Sequence, residues 1–436
     1  MRLVAGAAAA LALGAPAVAE ASVGNFGMAV QPDGKIVVAG GSGLAPEGGS
    51  EFGAVVRYLP NGRLDPSFGG GDGVVLARSL KPFTAVALQR DGRIVLTAPI
   101  GEVVRLLPDG RFDGNFGSRG KKSAGAPSAY YPMSVALAPD GGIFVGGMTG
   151  YPPDTGEHWY GWLYRIAPGG RSGEKVGGFT GGMSEDPKSF LNDIVLGPDG
   201  QVYGAGTIAE RRADAKSHAV LARVLPAHIG PFGTPDGPDP SFGGGLVSSN
   251  FFPASTMPEA ANALAWQKGG LLIAGEAGGS MLVSRYTADG QQDNGFGRRG
   301  FWTISGGRGT TAVADALAVD AKGGIFVAGS KISHCGGSEC SSLLLARLGR
   351  FGHPIKSFGH DGILTPQPAA SAIPYFEDAY DLALRPKGRI LVGGLFGDST
   401  STRFFLRRYL ADGRPDRSFG RRGRVATLPV AVQGAR

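Results

Sequence analysis

The chain has 436 residues, 76 of them Gly and 30 Pro, with 42% apolar residues, 18% charged residues and a formal charge of +7. Gly at about 17%, against about 7% in ordinary domains, runs without a three-residue period, which excludes collagen; the apolar share excludes a solvated coil. What remains is a folded chain with very many turns, all-β in class.

In chain order, the first segment is a lone Arg2 followed by an Ala/Leu-rich run. Ala17-Val18-Ala19 or Ala19-Glu20-Ala21 then offers small residues for signal-peptidase cleavage. Residues 1–21 are read as a signal peptide and 22–436 as one secreted domain, extracellular or associated with the cell wall. The competing reading is an uncleaved anchor, although the run is barely long enough to span a bilayer. Loss of Arg2 and Glu20 leaves the charge at +7, enough for weak attraction to anionic surfaces.

A two-part unit follows and recurs to the end of the chain. Its first half reads MAVQPDGKIVVAG at 28–40 and VALQRDGRIVLTA at 86–98, then VALAPDGGIFVGG at 135–147 and IVLGPDGQVYGAG at 194–206. It continues as ALAWQKGGLLIAG at 263–275, LAVDAKGGIFVAG at 317–329 and LALRPKGRILVGG at 382–394. The second half is VVRYLPNGRLDPSFG at 55–69, with clear echoes in the other units. The turn glycines Gly34, Gly92, Gly141, Gly200, Gly269, Gly323 and Gly388 are spaced about 59 residues apart on average.

Pro-Asp-Gly between two apolar runs predicts a hairpin: Pro presets φ, Asp bonds the local backbone and Gly accepts φ > 0. The runs after the turns are apolar at consecutive positions, so both faces of those strands are covered. Seven antiparallel meanders covered on both faces predict a seven-bladed β-propeller of four-stranded blades, with an open solenoid as the alternative. Whether the ring closes by strand exchange is open at this point. The unit resembles the delta-60 repeat, a bacterial extracellular family of β-propeller type, through Q-P-D-G-K-I-x-V-A-G and L-D-x-S-F-G. The resemblance covers about 28–425 and implies a fold and an extracellular address, but no reaction and no cofactor. Units 3, 4 and 6 depart from it: unit 3 lacks the Asp-x-x-Phe-Gly ending, unit 4 carries an insertion near 226–238, and unit 6 has Ile355 in place of Asp.

Arg57, Arg105, Arg165, Arg223, Arg285, Arg347 and Arg408 hold one place in all seven units. Asp follows eight residues later as Asp65, Asp113, Asp293 and Asp416, and further on as Asp239. A ring of anion-binding arginines is one reading. The other is an Arg–Asp pair within each blade, with the Phe of Phe-Gly stacked on the guanidinium; packing, unlike catalysis, is needed seven times.

Strand parity puts the uniform hairpin turns on one face of the ring and the variable connections on the other. The variable face collects Glu157, His158, Trp159 and Tyr160 from unit 3, Phe251, Phe252, Glu259 and Glu276 from units 4 and 5, and Tyr375, Asp378 and Asp381 from unit 7. Asp193, Asn262, Asp315 and Asp381 enter the predicted innermost strands at the channel mouth. Aromatic rings with carboxylates suit a sugar or peptide ligand; ballast that caps the ring is the plain alternative. On the uniform face lie the basic turns Ser118-Arg-Gly-Lys-Lys122, Arg298-Arg299 and Arg421-Arg-Gly-Arg424.

The two cysteines, Cys335 and Cys340, flank a Gly-rich loop and are expected to form a disulfide rather than a metal site with His334. The sequence has no His-Glu-x-x-His, phosphate loop, Gly-x-Ser-x-Gly elbow or calcium-binding ladder. The expectation is a secreted binding or cell-surface interaction module without a cofactor. Its partner would be a cell-wall glycan or a protein rather than nucleic acid. A carbohydrate-active hydrolase or lyase, with carboxylates at the channel mouth, is the alternative.

Overall fold

The turn chemistry acts as its residues dictate. In unit 1, Gly34 N donates to Gln31 O at 2.8 Å and Gln31 N to Lys35 O at 2.9 Å, while Asp33 Oδ1 accepts from Lys35 N at 3.0 Å and Gly34 takes φ +91. The same closure recurs around Gly92, Gly141 and Gly200. Unit 7, with Lys387 in place of Asp, makes a single 3-10 turn at Pro386–Gly388.

The computed structural model describes residues 26–41, 52–123, 130–151, 158–178, 188–209, 217–224, 238–249, 251–252, 257–335, 338–366, 375–398 and 402–427. The signal peptide expected over 1–21 lies outside them. The described residues form seven four-stranded antiparallel sheets, each a consecutive meander. The blades span 26–77, 85–123, 130–178, 188–248, 259–305, 311–364 and 375–427. No helix among the described residues is long and apolar enough to cross a membrane.

Inner strands follow one another around the channel: Phe26–Val30, Ala85–Leu88, Tyr130–Leu137, Lys188–Leu196, Glu259–Gln267, Thr311–Val319 and Tyr375–Arg385. Apolar cores lie between neighbouring blades, which is why the second strands are buried on both faces. The core between blades 7 and 1 joins Leu391, Leu395, Phe404 and Leu406 to Phe26, Met28 and Val56. Every blade is built from contiguous chain, so the ring closes by packing and hydrogen bonds rather than by exchange of a strand.

In blades 3 to 7 the inner strand is bulged opposite a glycine inside the second strand, the one that ends the first half of the repeat. A Cβ on Gly206 or Gly394 would sit 1.9 Å from the carbonyl oxygen of Phe190 or Asp378, and one on Gly275 or Gly329 would sit 2.0 Å from that of Ala260 or Val313. The Ala-Gly ending of the repeat is therefore the imprint of the bulge.

The recurring arginine is a clamp. Its Nε donates to the Asp of its own blade at 2.7 Å for Arg57–Asp65, 2.8 Å for Arg105–Asp113, Arg223–Asp239 and Arg285–Asp293, and 2.9 Å for Arg408–Asp416. The guanidinium lies over Phe68, Phe116, Phe242, Phe296 or Phe419 of that blade. The Nη1 then reaches the turn of the next blade: Arg105 to Pro168 O at 2.5 Å, Arg285 to Arg350 O at 2.7 Å and Arg347 to Ala411 O at 2.8 Å. Blades 3 and 6, which lack the Asp, stack the arginine instead on a Phe directly across on the second strand. Those pairs are Arg165 on Phe144 at 5.8 Å and Arg347 on Phe326 at 5.1 Å. Arg165 also pairs with Asp140 of its own first hairpin.

Candidate functional site at the channel mouth

The unit 3 candidates open the third strand of blade 3. His158, Trp159 and Tyr160 stand opposite Tyr151, Gly150 and Thr149, and Tyr160 is half-buried. Glu157 lies outside the described residues. In blade 7, Tyr375 stands half-buried opposite Asp398, and Asp378 is buried opposite Leu395.

Asp193 and Asp381 occupy equivalent places in blades 4 and 7 and do the same work. Asp193 Oδ2 accepts from Leu264 N of blade 5 at 2.8 Å, and its Oδ1 accepts from Ile194 N at 2.8 Å and from Ser134 Oγ of blade 3 at 2.7 Å. Asp381 Oδ2 accepts from Met28 N of blade 1 at 2.8 Å and Oδ1 from Leu382 N at 2.7 Å. Burial pushes Asp193 up to about 6 against these hydrogen bonds. Burial likewise raises Asp381 to about 7, with added repulsion from Asp193.

Asn262 is not in that set. The first hairpin of blade 5 is one residue shorter than the others, pairing Gln267 with Gly270, so Ala263 takes the place of Asp193. Asn262 falls instead at the bulge, with Asn192 of blade 4 and Asp315 of blade 6. These three form a ladder from blade to blade. Asn192 Nδ2 donates to Ala261 O at 2.9 Å and to Asn262 Oδ1 at 3.4 Å; Asn262 Nδ2 donates to Ala314 O at 3.0 Å and to Asp315 Oδ1 at 3.4 Å.

The ladder ends in carboxyls. Burial holds Asp315 well above the usual carboxylate range, and the nearby charges of Asp378 and Glu276 push it further. Glu276 is 3% exposed, has no hydrogen-bond partner among the described residues, and is raised by burial to about 7. It sits on the face of blade 5 whose Leu272 and Ala274 pack against Ala312 and Ala314 of blade 6. No group of three His, Cys, Asp or Glu among the described residues has the arrangement of a metal site.

Other candidates are structural in their contacts. Glu259 accepts from Ser249 Oγ at 3.0 Å and Phe252 N at 3.1 Å, and Phe251 and Phe252 pack edge-on against Phe301. A pair missed in the sequence lies within blade 7: Arg407 donates from Nε to Glu377 Oε1 at 2.6 Å and from Nη2 to Oε2 at 2.7 Å. Cys335 and Cys340 are joined by a disulfide near the tip of the hairpin of Ile325–Cys335 and Ser338–Leu348, the longest of blade 6.

The family described as "Domain of unknown function (DUF5122) beta-propeller" matches residues 31–68 and 386–419. No curated protein sequence matches the chain. Among solved structures, the extracellular domain of a putative one-component system from B. thetaiotaomicron is 12% identical, with a TM-score of 0.42, over 94% of this chain and 46% of that one. The chain thus spans less than half the length of that protein. The WD40 β-propeller domain of Doa1 is 11% identical, with a TM-score of 0.38, over 91% and 94%. PorZ, a surface component of the type-IX secretion system of Porphyromonas gingivalis, is 10% identical, with a TM-score of 0.44, over 89% and 47%. These are likenesses of fold alone. With seven blades in the ring and the matched segments in the first and last of them, the chain is a β-propeller repeat protein.

Proposed function

We propose that the chain is a secreted binding module of the delta-60 type that takes its ligand on the variable-loop face, over the carboxyls Glu276, Asp315 and Asp378. The observation that carries this reading is Glu276. The Arg–Asp clamps and the Asp193 and Asp381 links hold blades together, whereas Glu276 makes no hydrogen bond among the described residues and bears the cost of burial. A ligand bringing a cationic or hydrogen-bond-donating group, such as an amino sugar of a cell-wall glycan or the ammonium of a peptide, would satisfy it. The aromatic residues Tyr160 and Tyr375 on the same face suit such a ligand by stacking. The disulfide agrees with an oxidising address.

The test is a binding screen of glycans, peptidoglycan fragments and peptides against the protein and its Glu276→Gln variant. Binding lost in the variant supports the reading. Binding that survives unchanged removes the carboxyl mouth from it. The proximity of Asp315 and Asp378, with burial holding Asp315 well above the usual carboxylate range, favours one alternative, an acid–base pair in a glycan hydrolase or lyase. Product analysis of each bound glycan decides this, since turnover would replace the binding-only reading.

A further inference from the structure

The uniform face carries a second feature that neither the blade clamps nor the channel uses. In the turn after the Phe-Gly corner of four blades, one residue takes a left-handed backbone conformation just before a glycine: Arg119 (φ +54), Arg299 (φ +59), Asp361 (φ +52) and Arg422 (φ +55). Such positions favour Gly, Asn or Asp, and an arginine there costs about 1 kcal/mol of backbone strain. Three blades nevertheless place an exposed arginine at this point.

These arginines carry uncompensated charge. On the neighbouring turns, Arg111 and Arg414 are neutralised by Asp109 and Asp412 at 2.8 and 2.7 Å. Arg119, Arg298, Arg299, Arg417, Arg421 and Arg422 have no ion-pair partner among the described residues. All six are exposed.

Their arrangement selects the partner. Arg119, Arg299 and Arg422 sit at one position of one turn in blades 2, 5 and 7, so they stand at a common height around the ring rather than along a line. Same-face turns of adjacent blades touch, as Gly117 N donating to Gly169 O at 3.0 Å and Gly420 N donating to Asn61 O at 2.8 Å show, so the tips share one surface. A linear polyanion would follow one track across such a surface, whereas a planar anionic sheet meets all the tips at once. The same face also exposes Leu64 and Phe351, at 40% and 46%. Apolar side chains among unpaired cations suit a headgroup layer better than a soluble polymer.

We infer that the uniform-turn face docks flat onto an anionic lipid bilayer, leaving the variable-loop face pointing away from it. The experiment is co-sedimentation of the whole chain with phosphatidylcholine vesicles with and without phosphatidylglycerol, at low and moderate salt. Binding should require phosphatidylglycerol and weaken as salt rises. The variant Arg119→Gly/Arg299→Gly/Arg422→Gly relieves the backbone strain, so it should fold at least as well while its partition falls on the order of a hundredfold. Phe351→Ser should weaken vesicle binding but not retention on immobilised polyphosphate. Failure of the wild-type chain to bind anionic vesicles, unchanged binding by the glycine variant, or tight polyphosphate binding with bare vesicles would each overturn the inference.

Discussion

Arg408 Nη1 donates to the carbonyl oxygen of Pro60 at 2.6 Å, so the last blade grips the first by the bond that joins interior neighbours. Asp381 makes a second such link at the inner strand, to Met28 N. Closure is therefore not a special joint but one more repeat of the blade-to-blade contact.

Arg408→Lys keeps the charge and loses the planar fork that serves Asp416, Phe419 and Pro60 together. We expect a loss of about 1–3 kcal/mol in urea unfolding. Arg347→Lys should cost less, because Ile355 stands where the clamp Asp would be. Equal losses at the two sites would show that the Asp contributes nothing to the clamp.

Gly394→Ala puts a methyl group 1.9 Å from the carbonyl oxygen of Asp378, where the bulged backbone cannot withdraw without breaking the pairing. The expected destabilisation is about 2–3 kcal/mol or more. Gly114→Ala meets nothing within 4 Å and should stay within about 0.5 kcal/mol of the parent. Comparable melting temperatures for the two variants would contradict the bulge explanation of the Ala-Gly ending.

The Cys335–Cys340 bridge spans a short loop whose strands are already paired, Ser333 with Cys340 and Cys335 with Ser338. Little chain entropy is left for it to remove. Changing both cysteines to Ser should cost only about 1–2 kcal/mol. A collapse of the fold on reduction would instead make the bridge a principal support of blade 6.

The blade count and the arginine clamp were readable because both are local: a hairpin turn and an i, i+8 pair are written in adjacent residues. Even the exceptions left a mark, since Phe144 and Phe326 stand in the only two units that lack the Asp. What faces a neighbouring blade was not readable. A bulge shifts alternation by one, and a hairpin one residue shorter in blade 5 moved Asn262 from the Asp193 position to the ladder with Asn192 and Asp315. Nor does sequence give depth: Glu276 and Glu259 look alike as loop-proximal carboxylates. One is bonded to its loop and the other has no hydrogen-bond partner among the described residues.

The buried carboxyls give stability a characteristic pH dependence. A carboxyl raised in the folded state binds its proton more tightly there than in the unfolded chain, so its contribution is fully present below the unfolded pKa. It is lost as pH rises through the folded value. For Glu276 that window runs from about 4.5 to about 7, with Asp193 and Asp381 losing theirs toward about 6 and 7. Asp65 works oppositely: burial raises it, but hydrogen bonds from Ser67 and the charge of Arg57 bring it down to about 2, so its contribution is lost only as pH falls toward 2. Stability should therefore peak near pH 4 to 5 and decline toward pH 8. Glu276→Gln removes the charge that forms on that climb and should gain up to about 3 kcal/mol at pH 9 and little at pH 4. Asp315→Asn, which extends the amide ladder of Asn192 and Asn262, should gain in the same direction. Urea midpoints of parent and variants at pH 4, 7 and 9 check this; a gain at Glu276→Gln that does not grow with pH would show that the carboxyl is not titrating in the folded ring.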